Sequence, residues 1–111
     1  MPTLVMDLDG TICEQTSGGE DYFSAKPIRV VIDKMKEFRL NGWSIIIYTA
    51  RFMNRYGGDS TKIPFDYYAR TEWWLKDNDV PFDKLVFGKP AGDIYVDDKG
   101  MRPDEFASRN F

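Results

Sequence analysis

Thr3-Leu4-Val5-Met6-Asp7-Leu8-Asp9-Gly10-Thr11 decides how the chain is read. Residues 3–8 are a short apolar run closed by Gly10, as expected of a buried strand. The run ends in two carboxylates spaced two apart. Further along, Trp43 to Thr49 carries Ile45-Ile46-Ile47-Tyr48, a β-branched stretch with apolar side chains on both faces. That pattern predicts a strand covered on both sides, typical of a parallel sheet. Between the two, residues 10–25 hold Gly18-Gly19 and no periodicity, and read as a loop. Pro27 suits a first helical position. Ile28, Val31, Ile32, Met35 and Phe38 then recur at helical spacing up to the stop at Asn41-Gly42. Residues 51–62 form a second loop, a second helix runs from about Pro64 to Asp77, and short strands follow near Leu85–Phe87 and Ile94–Val96. The last ten or so residues suggest a short terminal helix. The order strand–helix–strand–helix–strand–strand predicts one α/β domain over residues 1–111. Its fold class is a Rossmann-like three-layer arrangement with a mostly parallel sheet.

Composition narrows the chemistry. With 42% hydrophobic and 30% charged residues the chain is an ordinary globular sequence. No apolar run approaches the ~20 residues needed to span a bilayer. Met1-Pro2-Thr3-Leu4-Val5-Met6-Asp7 lacks the basic and apolar regions of a secretory signal, so a cytoplasmic location is expected. A net charge of −3 argues against a nucleic-acid groove, which rests on clustered Lys and Arg. The single cysteine, Cys13, excludes an internal disulfide and a multi-cysteine metal site. There is no histidine. Ser-His-Asp and Cys-His machinery and imidazole-bound zinc are therefore excluded. Any catalysis must run on carboxylates, Lys, hydroxyls or a hard metal.

In parallel α/β sheets, sites form beyond the carboxyl ends of the strands. Asp7 and Asp9 end the first predicted strand, Thr49 ends the second, Lys89 follows the third, and Asp97 and Asp98 end the last. All should meet at one sheet edge. One carboxylate of Asp7 and Asp9 can act as nucleophile while its neighbour moves a proton. Four clustered carboxylates repel one another, and call for a hard, oxygen-preferring cation such as Mg²⁺. Lys89 and Thr49 offer a compact charge and a hydroxyl donor to phosphoryl oxygens.

The set Asp7-Leu8-Asp9-Gly10-Thr11, Thr49, Lys89 and Asp97-Asp98 resembles the four motifs of the haloacid dehalogenase-like phosphatase superfamily, in their order. The resemblance implies that Asp7 forms an aspartyl-phosphate and that Asp9 is the general acid/base. Thr49 and Lys89 would bind the transferring phosphoryl group. Asp97, Asp98 or both would hold Mg²⁺ alongside Asp7 and the backbone carbonyl of Asp9, with Asp97 the first choice. Only about fifteen loop residues separate Thr11 from Pro27, and Lys89 follows its strand at once, so the resemblance is to a capless member. Tyr48-Thr49-Ala50-Arg51, Gly88-Lys89-Pro90 and Val96-Asp97-Asp98-Lys99 further resemble small phosphatases of capsule and surface-polysaccharide biosynthesis. That narrower likeness implies a phosphorylated sugar or related small metabolite as substrate.

Rival readings are a receiver-like signalling domain that accepts a phosphoryl group, a phosphomutase, and a 3′-phosphatase acting on nucleic-acid ends. The receiver is disfavoured because Leu85-Val86-Phe87-Gly88 offers no acceptor after the third strand. Arg51 and Arg55 lie where they could meet the distal part of a substrate, with an equal claim as solvated loop arginines. Cys13 reads as a small buried residue. On the second helix Tyr67, Tyr68, Thr71, Trp74 and Leu75 share a core face, with Trp73 and Phe65 roughly opposite. Trp73 is a candidate subunit contact, which would make the protein a homo-oligomer, or else a wall of the site.

Overall fold

Strands β1 (Thr3–Met6), β2 (Ser44–Thr49) and β3 (Lys84–Phe87) form a sheet in the order β1-β2-β3 in the computed structural model, which describes residues 2–110. Both pairings are parallel, with Leu4 opposite Ile45, Met6 opposite Ile47, and Thr49 opposite Phe87. Side chains alternate along each strand, so Leu4, Met6, Ile45, Ile47 and Leu85 share one face. That face joins the core cluster with Val31, Ile32, Met35 and Phe38 of helix α1 (Arg29–Leu40), and with Trp74 and Leu75 of helix α2 (Phe65–Asp77). Right-handed β–α–β crossovers stepping in one direction along a sheet bring both helices to the same side. The α/β, Rossmann-like class expected from the sequence holds, and no cap is inserted: the β1–α1 connection carries only a 3-10 turn at Gly19–Ser24. The expected third layer is not formed by the described residues, because both helices lie on one side of the sheet.

The opposite sheet face, lined by Val5, Ile46, Tyr48 and Val86, is less enclosed. Ile46 and Tyr48 are half-buried and Val5 is 58% exposed. The short helix α3 (Pro103–Ala107) packs on α1, where Phe106 lies 5.1 Å from the ring of Phe38.

Two expectations require correction. Helix α1 starts at Arg29 rather than at Pro27. Pro27 instead bridges Cys13, and the Ile28 N–H donates to the Ile12 carbonyl at 2.8 Å, which holds this stretch extended. The second correction concerns the predicted strand at Ile94–Val96. This segment is irregular, with Ile94 83% and Val96 94% exposed. Asp97 and Asp98 are likewise exposed and not at the sheet edge where the sequence pattern places them. The local reason is a curled turn: the Tyr95 hydroxyl donates to the Pro90 carbonyl at 2.6 Å and accepts from the Gly92 N–H at 2.8 Å.

Candidate active site

Asp7, Thr49 and Lys89 do converge at the carboxyl edge of the sheet. The Gly88 and Lys89 N–H groups both donate to the Thr49 carbonyl, at 3.2 and 3.1 Å, which clamps the end of β3 to the end of β2. From there Lys89 reaches across, with its Nζ 3.6 Å from an Asp7 carboxylate oxygen and 4.2 Å from the Tyr95 ring centroid. Burial pushes the Asp7 carboxyl above its ordinary value, against the Leu8 N–H and Lys89, which both favour the charged form; the Asp9 charge adds to the upward push. A carboxylate that gives up hydration for a single lysine is poised for contact with an electrophile.

Asp9 is built differently. Arg51 grips it with two hydrogen bonds of 2.9 Å, from Nε to one oxygen and Nη2 to the other. Arg51 is only 1% exposed, and its guanidinium lies 4.6 Å from the Tyr22 ring centroid. Its remaining Nη1 is buried without a hydrogen-bond partner. The Thr49 hydroxyl, fully enclosed, accepts the Arg51 N–H at 3.1 Å and shapes the turn that carries this arginine inward. From the sequence Arg51 has equal claims as a contact to the distal part of a substrate and as a solvated loop arginine. It is instead enclosed beneath the site, because a planar guanidinium matches a carboxylate in bidentate geometry and the aromatic face of Tyr22 covers it.

The same cluster encloses Cys13, whose Sγ lies 3.5 Å from Asp9 and 3.7 Å from Arg51 Nη2. Burial, reinforced by the Asp9 charge, pushes its thiol up to about 12. The thiolate is the reactive form, so Cys13 of the native protein should react with an aromatic disulfide reagent at least ~100-fold more slowly than after unfolding. A native thiol titrating at the rate of free cysteine would contradict the enclosed cluster.

Gly10 turns the chain away from the two acids with φ +81°. A Cβ there would come 2.7 Å from Nε2 of Gln15, whose amide donates to the Asp9 carbonyl at 3.4 Å. Gln15 is a flexible neighbour, so the backbone conformation is the larger obstacle. Gly10→Ala should cost about 1–3 kcal/mol of unfolding free energy, measurable by denaturant titration; an unchanged midpoint would show that the turn is not required.

Beside Tyr22 lies a cavity of ≈ 160 Å³, lined by Gly19, Tyr22, Ala50, Phe52, Asn54 and Arg55. It joins the two loops that follow β1 and β2. Arg55 therefore lines space next to the Asp9–Arg51 pair, and its guanidinium rests 5.8 Å from the Tyr67 ring centroid. Phe52, held at φ +65°, stacks on Tyr67 at 4.5 Å and forms the floor of this aromatic group. Tyr22, Phe52 and Gln15 were not anticipated. Their loops lack periodicity, so their sequence carries no signal of where they fold.

Asp97 and Asp98 do not join this constellation. The Asp97 carboxylate accepts the Lys99 N–H at 2.8 Å, which together with Asp98 holds it below the ordinary carboxylate value. Among the described residues, no group of three or more acidic or cysteine side chains is placed to hold a metal ion. A single chain thus offers Mg²⁺ only Asp7, already facing Lys89, and an Asp9 whose carboxylate is occupied by Arg51 and whose carbonyl is met by Gln15. This donor set does not fit a hard ion that needs several oxygens near octahedral geometry.

A Vibrio cholerae protein solved as a structural-genomics target is 37% identical to this chain and superposes with a TM-score of 0.90, over 99% of this chain and 90% of its own. The chain belongs to the family of that protein. A second solved structure, the D,D-heptose 1.7-bisphosphate phosphatase from B. bronchiseptica complexed with magnesium and phosphate, shares 14% identity and a TM-score of 0.55. It aligns over 91% of this chain but only 54% of its own length, and at that identity the likeness is one of fold. No protein-family model and no curated protein matches the chain. Among the described residues no helix is long and apolar enough to cross a membrane.

Proposed function

We propose that this chain is a haloacid dehalogenase-like phosphatase that hydrolyses a small phosphate monoester through an aspartyl-phosphate on Asp7. The observation that carries the reading is the pairing at the sheet edge: a half-buried Asp7 carboxylate facing the Lys89 ammonium at 3.6 Å. An Asp7 oxygen attacks phosphorus as the ester P–O bond breaks, and the departing oxygen takes a proton from Asp9. Water then attacks the aspartyl-phosphate, giving its proton to Asp9, and releases phosphate. Lys89 balances charge on the phosphoryl oxygens throughout. For either proton transfer the Asp9 carboxyl must turn from Arg51 toward the reacting oxygens, since both its oxygens face the guanidinium.

The fold shared with a phosphatase crystallised with magnesium and phosphate supports this reaction class. The absence of histidine agrees with it, since carboxylates are among the few groups left to carry such chemistry. Arg55 at the cavity favours a substrate with a second anionic or polyhydroxyl portion, consistent with a phosphorylated sugar or related metabolite of surface-polysaccharide biosynthesis. A panel of phosphorylated sugars and one aryl phosphate, assayed for released phosphate with Mg²⁺ and with chelator, tests the proposal. Turnover of at least one sugar phosphate is expected. No release above the buffer rate across the panel would defeat it.

A further inference from the structure

The site lacks acidic partners, while an acidic pair stands on an exposed arm of the same chain. β1 is an edge strand paired only to β2, so its outer N–H and C=O groups face outward. Beside it Val5 is 58% exposed. The arm, residues 90–101, projects Ile94, Tyr95 and Val96 outward and carries Asp97-Asp98 directly after them. An exposed edge and an exposed β-branched segment are complementary halves of a sheet. We infer that two copies of this chain exchange these arms, each laying residues 94–97 as a fourth parallel strand along the partner's β1. Asp97 is thereby delivered to the partner's Asp7.

The alternation of the two segments agrees with this. With Asp97 level with Asp7 in a parallel register, Tyr95 falls beside Val5 on the open face. Ile94 and Val96 then fall on the side of Leu4 and Met6, which is the core face. One placement buries the most exposed apolar residues of the arm, satisfies the edge and supplies the missing carboxylate.

Reach disfavours the same docking within one chain. The Lys89 backbone is fixed over the end of β2 by its hydrogen bond to Thr49. Five residues from there to Ile94 span at most about 18 Å when fully extended. The target position is two strand spacings sideways and four residues down the sheet from Thr49, since Ile94 would lie level with Leu4 and Ile45, roughly 16 Å in a straight line through the sheet itself. Clearing the side chains on the sheet face consumes the remainder. The segment is in fact curled by the hydrogen bonds of Tyr95 to Pro90 and Gly92. The alignment with the Vibrio cholerae relative, which spans 99% of this chain, runs through the arm as well.

The role given to the delivered Asp97, as the oxygen donor that a single chain lacks for Mg²⁺, rests on the phosphatase reading; the exchange itself does not. Light scattering of the wild-type protein should give twice the chain's mass at micromolar concentration, and a monomer there overturns the exchange. A chain carrying Val5→Cys and Tyr95→Cys, oxidised and run without reductant, should migrate as a covalent dimer. A monomer, whether internally bridged or unbridged, overturns it. Because Tyr95 stabilises the curl, the mass measurement on the wild type stands as the independent check. Finally, inactive Asp7→Asn and Asp97→Asn chains, co-expressed, should recover about a quarter of wild-type activity, since half the pairs are mixed and each mixed pair holds one intact site. No recovery with an active wild type overturns delivery in trans. If the wild type hydrolyses nothing while mass and cross-link both report a dimer, the phosphatase reading falls and the exchange stands.

Discussion

Asp7→Asn is expected to abolish phosphate release and, at neutral pH, to make the protein more stable. The loss should be at least ~10³-fold in kcat, because an amide cannot form the phosphoryl-enzyme and removing a nucleophile disables every later step. The gain in stability follows from the direction of the Asp7 shift. Burial raises its folded-state pKa above the ordinary 3.8, so the folded chain binds this proton more tightly than the unfolded one. Above the folded pKa the ionised carboxylate therefore subtracts stability, and the deficit fades as the pH falls to about 4. Asparagine carries no such deficit at any pH. The variant's melting temperature should exceed the wild type's at pH 7, with the difference closing in acid. Lys89 would lose its ion pair, but it keeps the Tyr95 ring at 4.2 Å, and burial outranks Lys89 among the influences on Asp7. Thermal unfolding at pH 7 and pH 4, with an activity assay on the same samples, checks both halves. A variant that is inactive yet less stable at pH 7 would show that Asp7 holds the fold rather than being a strained functional group. Retained activity would remove it from the chemistry.

That combination explains why Asp7 was legible in the sequence. An apolar run cut short by two acids and a glycine breaks local consistency, and such breaks mark functional sites. The strand ends at Thr49 and Lys89 were legible for a related reason: in a parallel sheet chain order alone sends every strand terminus to one edge. The helices were legible through their spacing, and Val31, Ile32, Met35, Phe38, Trp74 and Leu75 are buried as that spacing requires. The fourth strand was a different matter. Ile94-Tyr95-Val96 has strand composition, but pairing depends on whether the linker can reach an edge, and residues 90–93 are too few to carry the segment across the sheet to the free side of β1. Neither reading of Arg51 foresees its burial, because an arginine in a loop looks the same in sequence whether it faces water, a substrate or a buried acid. Only the close approach of Cys13, Asp9 and Tyr22, all far from Arg51 along the chain, reveals its position.

The fully enclosed Arg51 leads to the other large effect. Arg51→Ala should destabilise the fold by about 3–5 kcal/mol, the usual cost of removing one partner from a buried ion pair, because it strands Asp9 in a site with little water. For a chain of this length that amounts to a fall of roughly 10–20 °C in melting temperature. Asp9 is 15% exposed at its side chain and Arg51 0%, so solvent does little to soften the loss. Arg51→Lys keeps the charge but cannot form both hydrogen bonds, and its cost should be smaller. The pair differs from the exposed Arg70–Glu20 contact, at 2.7 Å between side chains 40% and 75% exposed. Removing that contact should leave the unfolding midpoint nearly where it is, because solvent screens an exposed pair. Denaturant unfolding of the three variants ranks them. A substrate-binding arginine gives the opposite pattern: Arg51→Lys would raise KM several-fold while leaving the unfolding midpoint in place. The Arg51 Nη1, buried without a partner, sharpens the expectation further. Replacing the whole guanidinium and Asp9 together, as Asp9→Leu with Arg51→Met, removes that unsatisfied donor along with the pair. The double variant should recover most of the stability that Arg51→Ala loses, since an apolar pair of similar volume needs no compensating charge. It should also be inactive, because the proposed reaction uses Asp9 as its proton carrier, and its stability would separate what this ion pair does for that reaction from what it does for the fold.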